Sequence, residues 1–152
     1  MDRAYALRNT ASRERLRQLL TRLGDAATRY PTHDGWAVSV VLAHPAFWDR
    51  FVLERRRQAE RAAELPPRVF DDSLPDVINA AALSQGRALA PAIAAREALE
   101  AATAVDGKIA RLSPAAAEAI LASGRHALLD RDVHRGPHLD EIERALRREA
   151  PG

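Results

Sequence analysis

Histidine is the side chain here best suited to chemistry near neutral pH, and its five copies are unevenly placed. His44 stands in the apolar run VSVVLAHPAFW, while His134 and His138 are four residues apart in DVHRGPHLDEI. Residues at i and i+4 of a helix lie one above the other, so two imidazoles at that spacing can point at one spot. A helix facing them can supply His44 as a third nitrogen. Three neutral imidazoles suit a divalent metal such as zinc, nickel or iron(II). Three protein ligands leave a position open for water or substrate. A metal so held lowers the pKa of bound water toward about 7 or acts as a Lewis acid. On the residues alone, the competing reading is a set of ordinary hydrogen-bonded histidines.

The neighbours of these histidines are the next candidates. Phe47 and Trp48 follow His44 closely and can line a pocket over a metal, or simply fill a core. Asp49 and Asp140 can orient a ligand imidazole, as carboxylates behind metal-bound histidines often do. Asn79 can offer an amide to a bound water or substrate, or serve as a buried cap. His126 follows Ser123-Gly124-Arg125 and reads as a loop histidine or a neighbour of the site. His33 reads as a turn or capping residue before the second helix. Arg55, Arg56, Arg57 and Arg61 alternate with Glu54, Glu60 and Glu64, which predicts a solvated helix face. The chain has no cysteine, which excludes disulfides, thiolate zinc sites, iron–sulfur clusters and a cysteine nucleophile. No Ser/His/Asp order, glycine-rich phosphate loop or paired-carboxylate motif competes for a catalytic role.

The elements that must position these residues read as helices throughout. Alanine, leucine, arginine and glutamate dominate, and all are good helix formers. Leu16, Leu19, Leu20, Leu23 and Ala27 share one face and predict a first helix from Ser12, as N-cap, to Tyr30, before Pro31. A second runs from about Asp34 to Glu64, with Val40, Val41, His44, Phe47, Trp48 and Phe51 on one face. A loop from Leu65 to Asp72 follows. A third region runs from Leu74-Pro75 to about Leu112, with breaks expected near Gly86 or Pro91. Ser113-Pro114 predicts an N-cap and a short helix to Ala122, stopped by Ser123-Gly124. The last helix carries Leu139, Ile142, Ala145 and Leu146 and ends near Arg148. The sum is one all-α domain over residues 1–152, a bundle of four main helices with short extra pieces.

With 152 residues, 47% apolar and 29% charged, the chain is long enough for a real core. It has neither a membrane-spanning run nor the apolar stretch of a signal peptide, so a cytoplasmic protein is expected. The isoelectric point of about 9.6 reflects that all but one of the 23 basic residues are arginine. The net charge is only +2 and the signs are interspersed, so no nucleic-acid partner is expected.

The segment DGWAVSVVLAHPAFWDRFVLERR resembles the second-helix signature of the DinB-like superfamily, the bacterial four-helix metal-binding proteins related to the N-terminal domain of mycothiol-dependent maleylpyruvate isomerase. Trp36, Leu42-Ala43-His44, Phe47 and Trp48 match it. DRDVHRGPHLDEIERAL is similar to that family's last helix at His134, His138, Leu139, Asp140, Glu141 and Ile142, and Asp76 to Ala80 resembles its Val-Asn motif. The likeness spreads over about residues 12 to 148. It implies an up-down-down-up four-helix bundle with a long crossover containing Leu65 to Asp72. It implies a divalent metal on His44, His134 and His138, and often a homodimer. It also implies a small-molecule substrate, with a metal-dependent hydrolase or a thiol-dependent S-transferase or isomerase as the activity. The thiol would be an external, low-molecular-weight one. Two departures stand beside these ligands. Pro45 removes a hydrogen bond to Val41, and Pro137 removes one to Val133. The last helix is therefore expected to start at Pro137, with His134 left in the preceding turn. Two outcomes stay open: a site re-aimed by kinks, or a non-catalytic dimeric bundle with a degenerate site, acting in binding or stress response.

Overall fold

The computed structural model describes residues 4–32, 35–62 and 73–149. They are all-α: α1 (Ala4–Arg22), α2 (Val38–Ala62), α3 (Leu74–Ala88), α4 (Pro91–Ala110), α5 (Pro114–Ala122) and α6 (Asp132–Glu149), with 3-10 turns at Ala27–Arg29 and His126–Leu128. The described residues contain no strand, only an isolated bridge between Pro31 and Ala37. No described helix is long and apolar enough to cross a membrane.

Local chemistry accounts for several boundaries. Pro75, Pro91 and Pro114 each open a helix, where the missing N–H has no intrahelical use. Ser113 caps α5, its hydroxyl accepting from the Ala116 N–H at 3.2 Å. Gly124 leaves α5 with a φ of 72°, which glycine adopts without cost. The expected break in the third region falls at Leu89-Ala90 and separates α3 from α4. The predicted loop Leu65 to Asp72 and His33 lie outside the described residues.

Two expectations are corrected. The first helix starts at Ala4 and stops at Arg22, so Ser12 is mid-helix rather than a cap. Its buried hydroxyl donates to the Asn9 carbonyl at 3.2 Å. The last helix starts at Asp132, not Pro137, and continues through the proline. Tertiary contacts hold its first turn against the proline. The Asn9 side-chain oxygen accepts from the Arg131 and Asp132 N–H groups at 2.7 and 3.3 Å. Gly136 leaves room there, since a Cβ would stand 3.2 Å from the Asp132 carboxylate. Likewise α2 runs through Pro45, which is buried.

The helices bury two apolar clusters. One joins Leu16 and Leu19, Val41 and Leu42, Ala98 and Ala102, and Leu139 and Ile142, from α1, α2, α4 and α6. The other joins Tyr5, Val52, Leu53, Val105, Ile109, Ile120 and Leu129. Each large aliphatic side chain so buried contributes roughly 1.5–3 kcal/mol. Between the clusters along the chain lie the buried polar residues Asn9 and Ser12 in α1, Asp49 in α2 and Arg135 in α6, while Asp106 in α4 follows Val105 of the second cluster.

Candidate metal centre

Helices α2 and α6 pack against each other and bring the three predicted histidines together. The ligand nitrogens of His44, His134 and His138 all lie within 4.8 Å of one another, and all three rings are half-buried. Because α6 is helical on both sides of Pro137, His134 and His138 keep the i,i+4 stacking that the proline threatened. The His44 and His134 Nε2 atoms are 3.2 Å apart. Two nitrogens bonded at ~2.0–2.1 Å to one tetrahedral ion stand about 3.3 Å apart, so this pair already has the spacing of two ligands.

The electrostatics favour neutral rings. Burial, aided by the charge His138 would carry, lowers the His44 pKa to about 4. Burial, with the same influence and that of Arg131, lowers His134 to about 3. Neutral imidazole is the form that binds a metal. Two atoms are left over: the His134 Nδ1 and the Glu141 Oε1 are buried without a hydrogen-bond partner. Buried polar atoms are normally satisfied, so such atoms point to a missing water or ion. The other Glu141 oxygen stands 3.5 Å from His138 Nδ1. The chemistry of this donor set fits a divalent ion.

Aromatic rings border the cluster. Trp36 and Trp48 lie with ring centroids 6.3 Å from His44 and 6.4 Å from His134 respectively. The Trp48 Nε1–H donates to the Asn79 Oδ1 at 2.9 Å, which ties α3 to α2 and commits the Asn79 oxygen to this bond. Phe47 lines a cavity of about 230 Å³ beside His44, between α2 and α3, walled also by Leu83 and Leu89 with Arg50 and Glu97 among its polar groups.

The remaining candidates are placed elsewhere. Asp49 does not orient an imidazole. Its two oxygens accept from the Arg131 Nε at 2.8 Å and the Arg135 Nε at 2.7 Å. Asp140 is exposed and accepts from Arg15 at 2.6 Å. His126 is exposed in its 3-10 turn and outside the histidine cluster. The carboxylate that does meet a site imidazole is Glu141, to which no role was given. Its signal was spacing: it lies three residues after His138 and seven after His134, on one helical face.

Sequence reasoning also missed the network beneath the site. Arg135 donates a fork to Asp106, at 2.6 and 3.1 Å, besides its bond to Asp49. Arg13 adds a further bond to Asp106 at 2.9 Å. Burial pushes the Asp106 carboxyl up, and the guanidiniums only partly offset it. Burial works against the Arg135 charge, but Asp49 and Asp106 outweigh it and hold its pKa above the ordinary value. This network fixes the first turn of α6 and hence the position of His134.

No family model matches the chain, and no curated protein and no solved structure matches it.

Proposed function

We propose that this chain is a divalent-metal-binding helical bundle of the DinB-like kind, with His44, His134 and His138 as ligands and a metal-dependent hydrolase or thiol-dependent transferase as the activity. The observation that carries this reading is the meeting of three imidazoles from helices about ninety residues apart in the chain, with nitrogens within 4.8 Å. The order of buried layers supports the bundle. Along α1 the chain passes from the second apolar cluster through Asn9 and Ser12 to the first; along α2 and α4 it passes the other way. Along α6 it passes from Arg135 to the first cluster again. That order is the one an up-down-down-up arrangement of α1, α2, α4 and α6 requires.

A bound divalent ion supplies a Lewis acid that polarises a ligated oxygen and keeps a ligated thiol deprotonated near neutral pH. The chain's own residues prepare for it. Burial keeps His44 and His134 neutral. Trp36 and Trp48 shield the rings from water, and Trp48 is held in place through Asn79. Glu141 faces His138 Nδ1 and favours the tautomer whose Nε2 is free to bind. The cavity beside His44 is mostly apolar, which suits the carbon skeleton of a small electrophile.

A second reading, a non-catalytic bundle, draws on the direct 3.2 Å contact between His44 and His134, through which two neutral rings can satisfy each other. Elemental analysis separates the two. Untagged protein purified without chelators, then loaded with zinc, nickel or iron(II), is expected to hold about one equivalent per chain. No metal under any loading would leave the second reading standing.

A further inference from the structure

The cavity of about 230 Å³ beside His44 has a cause in the side chains of α2 and α3. Gly86 lets α3 come close to α2, since a Cβ on it would stand 3.4 Å from the Ala43 Cβ. Next to that approach, Ala46 and Ala82 are too short to fill the space between the helices. Larger side chains at these positions would close it, as the dense packing of protein interiors normally does. Leu83, and Leu89 just beyond the end of α3, complete an apolar wall. Concave, mostly apolar sites with a few polar groups are where small molecules bind.

The walls select for a ring. Trp36, His44 and Phe47 all line the cavity, and the Trp36 and His44 centroids stand 6.3 Å apart with their planes at 60°. Aromatic rings favour one another edge-on or offset, at centroid distances of about 4.5–7 Å. The volume sets the size. A cavity of about 150 Å³ with aliphatic and aromatic walls admits benzene, so this one takes a single ring with a short substituent. The charges set the polarity. Among the described residues lining it, Arg50 and Glu97 carry the only full charges, and they meet each other. Arg50 Nε and Nη2 both donate to the Glu97 Oε2, at 3.2 and 2.7 Å. A charged ligand end would have to separate this pair, whereas the Gln85 amide, also on the wall, can bond an uncharged group. His134 and His138 do not line the cavity, so it meets the histidine cluster through His44 alone.

We propose that this cavity binds an uncharged single-ring aromatic compound, its ring among Trp36, His44 and Phe47 and its short polar substituent toward the Arg50–Glu97 end. His44 and Arg50 are six positions apart, ~9 Å along α2 at 1.5 Å per residue, so the two ends are distinct. This deepens the proposed function by naming the class of ligand. It rests on that reading only for the ligand's role as substrate, because the binding itself needs no metal.

The test uses the full chain labelled with ¹⁵N and freed of metal by chelator, and follows its amide resonances. Benzyl alcohol is the probe, with cyclohexylmethanol, benzoate and benzylamine as comparators. Benzyl alcohol is expected to shift the amides of Ala82, Leu83 and Gly86 saturably, and its ring protons to give cross-peaks to the Leu83 and Leu89 methyl groups. Cyclohexylmethanol keeps the size and the hydroxyl but lacks the aromatic ring, and is expected to bind roughly 2–10-fold more weakly, the worth of one ring contact. Benzoate and benzylamine are expected to bind ~10-fold or more weakly, because their charge finds no free partner. Ala82→Phe puts a ring of the chain's own into the cavity and is expected to abolish binding; if it does not fold, Leu83→Trp serves. No saturable shift with benzyl alcohol overturns the proposal. So does wild-type binding in a folded cavity-filling variant, or tighter binding of any comparator. Metal content is measured separately, so failure here leaves the metal reading standing, and failure of the metal reading leaves this one.

Discussion

Two polar clusters share α2 and α6, and they differ in how completely they are bonded. In the Asp49–Arg131–Arg135–Asp106 network both Asp49 oxygens accept from an arginine, and the Arg135 Nε and both of its terminal nitrogens donate. In the histidine cluster the rings have one bond among them, His44 to His134, while His134 Nδ1 and Glu141 Oε1 are buried with none. Asp49 stands five positions after His44, and one peptide bond joins His134 to Arg135. The saturated cluster has no capacity for a ligand and holds the helices in register. The unsaturated one keeps buried polar atoms with no partner in the protein.

The largest effect tests the saturated side. Arg135→Met leaves Asp49 and Asp106 buried with fewer partners, and removal of one member of a buried pair costs about 3–5 kcal/mol. Urea unfolding is expected to show that loss, and Asp49→Ala a similar one. His134→Ala, one residue away, is expected to cost about 1–2 kcal/mol. Equal losses from Arg135→Met and His134→Ala would erase the distinction between the clusters.

The second effect belongs to the unsaturated side. His44→Ala, His134→Ala and His138→Ala are each expected to remove most of the bound metal by elemental analysis, while His126→Ala, at an exposed turn, leaves it unchanged. Metal kept by His134→Ala but lost by His126→Ala would overturn the ligand set. A third, smaller effect is expected at Glu141. Glu141→Leu is expected to weaken metal binding about 10–100-fold in a competition assay, as loss of a carboxylate behind a ligand imidazole does, with Glu141→Gln between. A Glu141→Leu protein with wild-type affinity would make the 3.5 Å approach to His138 incidental.

The apolar half of this architecture was legible in the sequence. Helical spacing found the core face of α6, whereas α2 buries Val41 with Leu42, Ala46, Val52 and Leu53 and leaves the expected His44, Phe47, Trp48 and Phe51 half-buried. Ser113-Pro114 marked the start of α5 and Ser123-Gly124 its end. The histidines were legible too, because α2 and α6 each aim theirs toward one place. The saturated network was not. Ser12 read as a cap and Asn9 carried no signal, since nothing local shows that arginines about 120 residues later reach them. For the same reason Pro137 suggested a helix start. Proline's cost is local, whereas what outweighs it, Asn9 capping the Arg131 and Asp132 N–H groups, comes from another helix. Arg56 is buried but was read as solvated, because a run of like charges reads as solvated whichever member turns inward.

The smallest effect, a slope, separates the clusters by protonation. The folded chain holds His44 near 4 and His134 near 3, both below the ordinary imidazole value, chiefly through burial. Below about pH 6.5 the unfolded chain therefore binds protons that the folded chain refuses. Stability from these rings is complete above that pH and is lost as pH falls toward 4 and 3. Carboxylates contribute mainly at the lower end of that window, so the span from pH 7 to 5.5 reports the histidines best. In metal-free protein, urea midpoints are expected to decline over that span in the wild type and to decline less in the His44→Gln, His134→Gln double variant. A bound metal is expected to steepen the wild-type decline, because it too is displaced by protons. Identical slopes in wild type and double variant would mean that the folded rings titrate as freely as unfolded ones, and the burial that keeps them ready for a metal would not hold in solution.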